Sequence, residues 1–190
     1  MTADFCLKRM EKMIEKNNII IRTIKEKDLD TLSKWETPQI RGRYQEFHFR
    51  SRVEMEKKYN ENGYISDELQ VLLIEFKDFG PAGLIFINFN REGLVNLGLV
   101  ITETAKRNIG LGKKVLKMIL KHLFNNYPLD RVEADTDVEN IGAQKVLEAN
   151  NFKKEGKLRN YRYHQGNWND YFIYSITREE NFKLREIKDE

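Results

Sequence analysis

Arg107 to Lys114, RNIGLGKK, sets two glycines one residue apart between an arginine and two lysines. The segment follows an apolar run, GLVNLGLVI (93–101), and opens an amphipathic one, LGKKVLKMILKHLFNN (111–126). Residues of these types at a strand-to-helix junction can hold an anion. The first amides of a helix have no internal partner, and the helix dipole adds partial positive charge there. Glycine at 110 and 112 lets a ligand approach the backbone without meeting a Cβ, while Arg107, Lys113 and Lys114 add charge. The competing reading is a plain turn with surface lysines. Spacing removes two phosphate motifs. The glycines are too close for a P-loop, and the third glycine of a dinucleotide fingerprint falls on Val115.

Few other residues advertise chemistry. Cys6 is the only cysteine, so no intramolecular disulfide can form, and a cytoplasmic location is expected. Its place near a terminus makes it a poor nucleophile candidate. His122 and His164 read as structural. Trp35 and Trp168 read as packing anchors, with Trp168 also able to line a cleft. Thirty-three basic residues against 30 acidic ones leave a net charge of +3. That balance offers no general basis for nucleic-acid binding. The longest apolar runs are far too short to span a membrane, and the opening MTADFCLKRMEKMIEKNN lacks the apolar core of a secretory signal.

The elements that must position the glycine turn follow from patterning. NIIIRTIK (18–25) predicts a strand rich in β-branched residues. KDLDTLSKWE (27–36) predicts a short helix, and SRVEMEKKYNENG (51–63) another, stopped by Gly63. ELQVLLIEFKD (68–78) and PAGLIFINFN (81–90) predict strands joined by a turn at Gly80-Pro81. Residues 93–101 predict a further strand, and 111–126 the clearest helix. RVEADTDV (131–138) alternates as a strand. NIGAQKVLEAN (140–150) predicts a helix with Val146 and Leu147 inward, closed by Asn150-Asn151. KLRNYRYHQ and DYFIYSITRE predict a hairpin about Gly166-Asn167. Residues 3–16 predict an amphipathic helix carrying Phe5, Met10, Met13 and Ile14 on one side. The organisation expected is a helical extension (1–17), one domain (18–180) and a tail (181–190). Interleaved elements with several neighbouring strands predict a mixed α/β (α+β) sheet.

One spacing does fit the glycine turn. R-x-x-G-x-G is present as Arg107, Asn108, Ile109, Gly110, Leu111, Gly112. It resembles the acetyl-CoA pyrophosphate loop of the GNAT superfamily of N-acetyltransferases. VEADTDVENIGAQKVLEANNFKKEGKLRN is similar to a signature of the RimJ/RimL-type subgroup, which acetylates ribosomal-protein N-termini, polyamines and antibiotics. The matching positions are Asn140, Ala143, Leu147, Phe152, Glu155, Gly156 and Arg159. GNWNDYFIYSI resembles that subgroup's last hairpin, and DLDTLSKWETPQIRGRY its first helix and substrate-side loop. The resemblance covers roughly residues 18 to 178. It implies a mostly antiparallel sheet of about seven strands flanked by helices, splayed between the strands at 93–101 and 131–138.

The resemblance also implies a reaction. Acetyl-CoA would be the cosubstrate, no metal would be needed, and a small-molecule or peptide amine would be the acceptor, with a homodimer as one assembly. Backbone groups of Leu99, Val100 and Ile101 would pair with the pantetheine arm and stabilise a developing oxyanion. Amides of Arg107 to Lys113 would take the pyrophosphate, and Asn140, beside Ala143, would bond the pantetheine or simply cap its helix. This chain departs from the family at three positions, one of them the mild change to Asn151 where glycine is usual before Phe152. Leu147 stands where many members carry a tyrosine acid, and Ala143 where the nearer subgroup has serine. Tyr161, Tyr163 or Tyr171 are alternative acids, and water another. Glu103, Asp135, His48 and Glu75 are candidate general bases. Glu103, Asp135 and Tyr171 are the preferred catalytic set. Tyr44, Phe47 and Phe49 sit where the acceptor-side loop is expected. The rival functional readings are a non-catalytic acetyl-CoA-binding or sensing module and a nucleotide-binding enzyme.

Overall fold

The computed structural model describes residues 14–37, 40, 42–44, 50–102 and 110–189. Its strands are β1 (Ile14–Lys16), β2 (Ile19–Thr23), β3 (Leu69–Phe76), β4 (Gly80–Arg91), β5 (Leu94–Ile101), β6 (Arg131–Asp137), β7 (Lys153–His164) and β8 (Asn167–Thr177). Its α-helices are α1 (Leu29–Trp35), α2 (Arg52–Asn62), α3 (Leu111–Asn126), α4 (Ile141–Glu148) and α5 (Arg178–Asp189). The strands form one sheet in the order β1-β2-β3-β4-β5-β6-β8-β7. All neighbours are antiparallel except β5 and β6.

The β5–β6 junction positions the candidate site. These two parallel strands pair only at Leu94–Asn96 against Arg131–Glu133. Beyond that point β5 runs on to Ile101 and β6 to Asp137 with no pairing between them, so the sheet splays as expected. The connection from β5 to β6 is α3. Its apolar stripe, including Val115, Ile119 and Leu123, is buried against Ile21, Leu72, Ile85, Val95 and Val132 of the sheet. Leu147 of α4 joins the same cluster. On the opposite face Leu29, Leu32 and Trp35 of α1 and Met55 of α2 pack on Val71 and Leu73.

Each helix boundary has a local cause. Ser51 accepts a hydrogen bond from the Glu54 amide at 3.1 Å, and Gly63 closes α2 in the left-handed region at φ 59°. Asn151 supplies the same left-handed residue after α4, at φ 65°.

Three expectations change. Ile14–Lys16 are a strand, paired antiparallel with Ile19–Ile21, so the expected N-terminal helix does not reach them. Asn17 at φ 56° makes the tight turn, and Ile14 packs against the core. The rest of that expected helix lies outside the described residues. With β1 included the described sheet has eight strands instead of about seven. The third change is at the C-terminus, where residues 178–189 form α5 and not a tail. A capping box starts it: the Glu180 amide donates to Thr177 Oγ1 at 3.3 Å, and the Thr177 amide donates to Glu180 Oε2 at 2.9 Å. Arg178 then donates to the carbonyls of Leu129, Phe124 and Tyr127, fastening α5 to the end of α3.

This box carries a pH dependence. Lys153 bonds Glu180, and with the Thr177 amide it holds the Glu180 carboxyl down at about 2. A carboxyl depressed in the folded state stabilises fully above its unfolded value, and that contribution disappears as pH falls towards the folded value. The window here runs from 4.5 down to about 2. Glu180→Gln is expected to cost about 1 kcal/mol at pH 7. Thermal unfolding of the two proteins should converge as pH drops through that window. A gap that stays constant to pH 2 would contradict the assignment.

Candidate active site

The glycine turn divides into two glycines with different work. Gly110 precedes α3 at φ 76°, and no atom of the described residues lies within 4 Å of the position a Cβ would take. Ser51, Asn140 and Thr177 cap their helices with side-chain oxygens, but Gly110 has none to offer. The α3 N-terminus is thus opened by bare backbone, with Lys113 and Lys114 exposed beside it. Gly112 faces inward instead. A Cβ there would lie 3.3 Å from Val146 Cγ2 and 3.8 Å from Leu99 Cδ2. Its task is close packing of α3 on α4 and β5, so the expectation that it admits a ligand is revised. Gly112→Val is expected to cost 1–3 kcal/mol through overpacking. Denaturant unfolding checks this, and an unchanged midpoint would refute it. Leu111 is likewise a core residue, 3% exposed. Arg107, Asn108 and Ile109 lie outside the described residues.

Leu99, Val100 and Ile101 are half-buried at the splayed end of β5. They pair with β4 on one side, and β6 has already diverged on the other. Along Leu99 and Val100 such an edge suits an extended chain added as a strand. Across the gap Asn140 caps α4. Its Oδ1 accepts the Ala143 amide at 3.1 Å, and its own amide donates to the Asp137 carbonyl at 3.0 Å. The capping role is therefore realised. Ala143 is half-buried one turn into the helix.

Two of the preferred catalytic residues are described. Asp135 projects from β6 with 7% of its side chain exposed. Arg162 Nη2 lies 2.8 Å from its Oδ2, and Asn96 Nδ2 donates to its Oδ1 at 3.2 Å. Both carboxylate oxygens of Asp135 are thus engaged, by a guanidinium on β7 and an amide on β5. Tyr171 is buried on β8, and its hydroxyl donates to the Tyr44 carbonyl at 3.4 Å. The Tyr44 hydroxyl in turn donates to the Glu139 carbonyl at 3.0 Å, and Arg43 pairs with Glu139 at 2.5 Å. These contacts bring the 42–44 segment to the turn that leads into α4. Glu103, His48, Phe47 and Phe49 lie outside the described residues.

Other candidates separate clearly. Glu75, half-buried, accepts an Arg22 hydrogen bond beside the buried Arg22–Asp28 pair, so it reads as structural. Tyr161, Tyr163 and Trp168 are exposed on the β7–β8 hairpin, so Trp168 is no packing anchor; Trp35 is buried, as expected. Tyr174 is wholly buried. Burial and its hydrogen bond to Glu148 push its hydroxyl up to about 12, which suits a structural residue. Burial pushes the His122 imidazole on α3 down. Leu147 is in the core, so no hydroxyl occupies that place.

One feature was missed from the sequence. His164, read as structural from its place near a hairpin turn, is buried with its Nε2 at 3.0 Å from Asp137 Oδ2. The two residues are 27 apart, and only the β6-β8-β7 order joins them. Among the described residues no group of three His, Cys, Asp or Glu side chains is placed to hold a metal, and no helix is long and apolar enough to cross a membrane.

A family model described as an acetyltransferase (GNAT) domain matches residues 18–153. A curated relative from Bacillus licheniformis, "Uncharacterized N-acetyltransferase p20", is 30% identical over 71 residues, which is 37% of this chain and 40% of that protein. Among solved structures, spermidine N-acetyltransferase from Vibrio cholerae in complex with CoA and spermine superimposes with a TM-score of 0.78 at 18% identity, covering 88% of this chain and 99% of that one. A GNAT-family acetyltransferase from Bacillus anthracis gives 0.75 at 20% identity, covering 88% and 99%. A GCN5-related N-acetyltransferase from Brucella melitensis gives 0.75 at 17%, covering 93% and 83%. At these identities the structural likeness is one of fold.

Proposed function

From the premise that this chain belongs to the GNAT acetyltransferase family, we propose that it transfers an acetyl group from acetyl-CoA to a primary amine by direct attack in a ternary complex. The observation that carries this is the gap between β5 and β6, bounded by the Leu99–Val100 edge and the α3 N-terminus at Gly110. A strand edge and an uncapped helix start fit the two unlike halves of CoA, an amide-bearing arm and a pyrophosphate.

In this reading the thioester supplies the acetyl group. Backbone groups of Leu99 to Ile101 orient it, and the amides that open α3 neutralise the pyrophosphate. The α4 start, fixed by Asn140, forms the other wall. Holding donor and acceptor in line supplies much of the rate. The acceptor approaches from the α1/α2 face, where Tyr44, Tyr171 and Asp137 come together. Polyamines, aminoglycosides and peptide N-termini are the acceptor classes of the RimJ/RimL-type subgroup. The Vibrio cholerae neighbour's complex with spermine supports testing polyamines first.

The absence of a hydroxyl at 143 and 147 favours a second reading, a non-catalytic acetyl-CoA sensor. Thiol release from acetyl-CoA with spermidine, spermine, an aminoglycoside and an N-terminal peptide decides between them. Turnover on at least one amine is the expected result. Tight CoA binding with no turnover would establish the sensor, and no CoA binding would overturn both.

A further inference from the structure

Glu133, Asp135 and Asp137 alternate along β6 and so share one face, opposite Val132 and Ala134 in the core. Each carboxylate has its own partner. Arg131 Nε lies 2.8 Å from Glu133, Arg162 Nη2 lies 2.8 Å from Asp135, and His164 Nε2 lies 3.0 Å from Asp137. Two rungs use a cation that never gives up its proton, and the third uses the one side chain built to exchange it.

The third rung is also the one beside the gap. Asp137 ends β6, past the last residue paired with β5. Its Oδ1 accepts the Glu139 amide at 2.7 Å, and its carbonyl accepts the Asn140 amide at 3.0 Å. The carboxylate and the start of α4 are thus one rigid unit. With Nε2–H donated to Asp137, the bare lone pair of His164 is on Nδ1. That atom is buried and has no hydrogen-bond partner among the described residues. Leaving a buried acceptor unmatched is costly, so such groups recur where a ligand or a proton is expected.

We propose that His164, oriented by Asp137, accepts the proton released by the acceptor ammonium, through a bridging water. This rests on the acetyl-transfer reading and names its general base. One N–H bond of the ammonium breaks, and its proton passes to Nδ1. The freed lone pair forms the C–N bond to the thioester carbon as the C–S bond breaks. A second amine proton ends on the departing thiolate, and the imidazolium returns its proton to solvent. The titratable and charged groups around the imidazole are Asp137 on β6, Tyr171 on β8, with ring centroids 6.2 Å apart, and Arg162 on its own strand, already paired to Asp135.

The test is the pH profile of kcat/KM for spermidine, or for whichever amine in the panel turns over, at saturating acetyl-CoA. His164→Gln should lower kcat at pH 7 by about 100-fold. It should keep KM for acetyl-CoA within about twofold and remove the acidic limb of the profile. Asp137→Asn should keep the limb but move it to lower pH, because losing the carboxylate makes the imidazolium less stable. Glu133→Gln, two rungs from Asp137, should leave the profile unchanged. A wild-type profile in His164→Gln overturns the proposal and leaves acetyl transfer standing. Should His164→Gln fail to fold, an unmoved limb in Asp137→Asn overturns it equally. No turnover of any amine by the wild type would overturn the acetyl-transfer reading, and this base with it.

Discussion

Arg22→Ala is expected to lower the unfolding free energy by about 3–5 kcal/mol, a large part of the 5–15 kcal/mol that holds a domain together. Arg22 sits in β2 with 4% of its surface exposed, and Asp28, just before α1, with 3%. The guanidinium engages Asp28 through two bonds, Nη1 to Oδ2 at 2.6 Å and Nη2 to Oδ1 at 3.0 Å. Its Nε bonds Glu75 at 2.6 Å, and its Nη1 also donates to the Thr23 carbonyl. The Lys25 amide completes the Asp28 shell at 2.8 Å. Truncating Arg22 leaves a buried carboxylate with no cation, and that stranded charge is the main source of the cost.

The sign of the pH effect follows. Burial pushes the Asp28 carboxyl up, but its hydrogen bonds to Arg22 and Lys25 win and hold it below the usual value. The pair therefore stabilises above the unfolded carboxylate range and loses that contribution as pH falls. The gap between wild type and Arg22→Ala, measured by urea unfolding, should narrow on acidification. Arg22→Met combined with Asp28→Leu should recover much of the loss, since apolar replacement of a whole buried pair is often neutral. A cost below about 1 kcal/mol for Arg22→Ala would show that the pair is solvated.

Nothing in the sequence singles out Arg22 among 33 basic residues. Its partner Glu75 is 53 positions away and becomes a neighbour only through the pairing of β2 with β3. The same physics separates what was legible from what was not. The α3 boundaries could be read to the residue because a 3.6-residue apolar stripe opened by a glycine is a local signal. The splay at β5 was legible only through resemblance, since strand pairing is non-local. The His164–Asp137 pair was hidden because a buried histidine is defined by its neighbours, and these lie on another strand. Two misses had local signals. Thr177-x-x-Glu180 is a capping box that marks a helix, and Asn17-Asn18 ahead of a β-branched stretch marks a turn.

Gly110→Glu is expected to weaken CoA binding by about 100-fold or more, measured by isothermal titration with CoA. Two effects combine at this position, and three variants separate them. Any side chain at φ 76° strains the backbone by about 1–2 kcal/mol, so Gly110→Ala reports that cost alone. Because no atom of the described residues lies within 4 Å of the Cβ position, the alanine variant should bind CoA within about tenfold of wild type. Glutamate adds a carboxylate at the helix start, where a unit charge about 4 Å from a phosphate costs several kcal/mol at an effective dielectric near 20. Gly110→Lys carries the same strain and similar bulk with the opposite charge, so it should bind far better than Gly110→Glu. Lowering the ionic strength should widen that difference, as expected for partly exposed charges. Equal affinities for the lysine and glutamate variants would mean that the pyrophosphate lies elsewhere, and the α3 N-terminus would then be only the turn it first resembles.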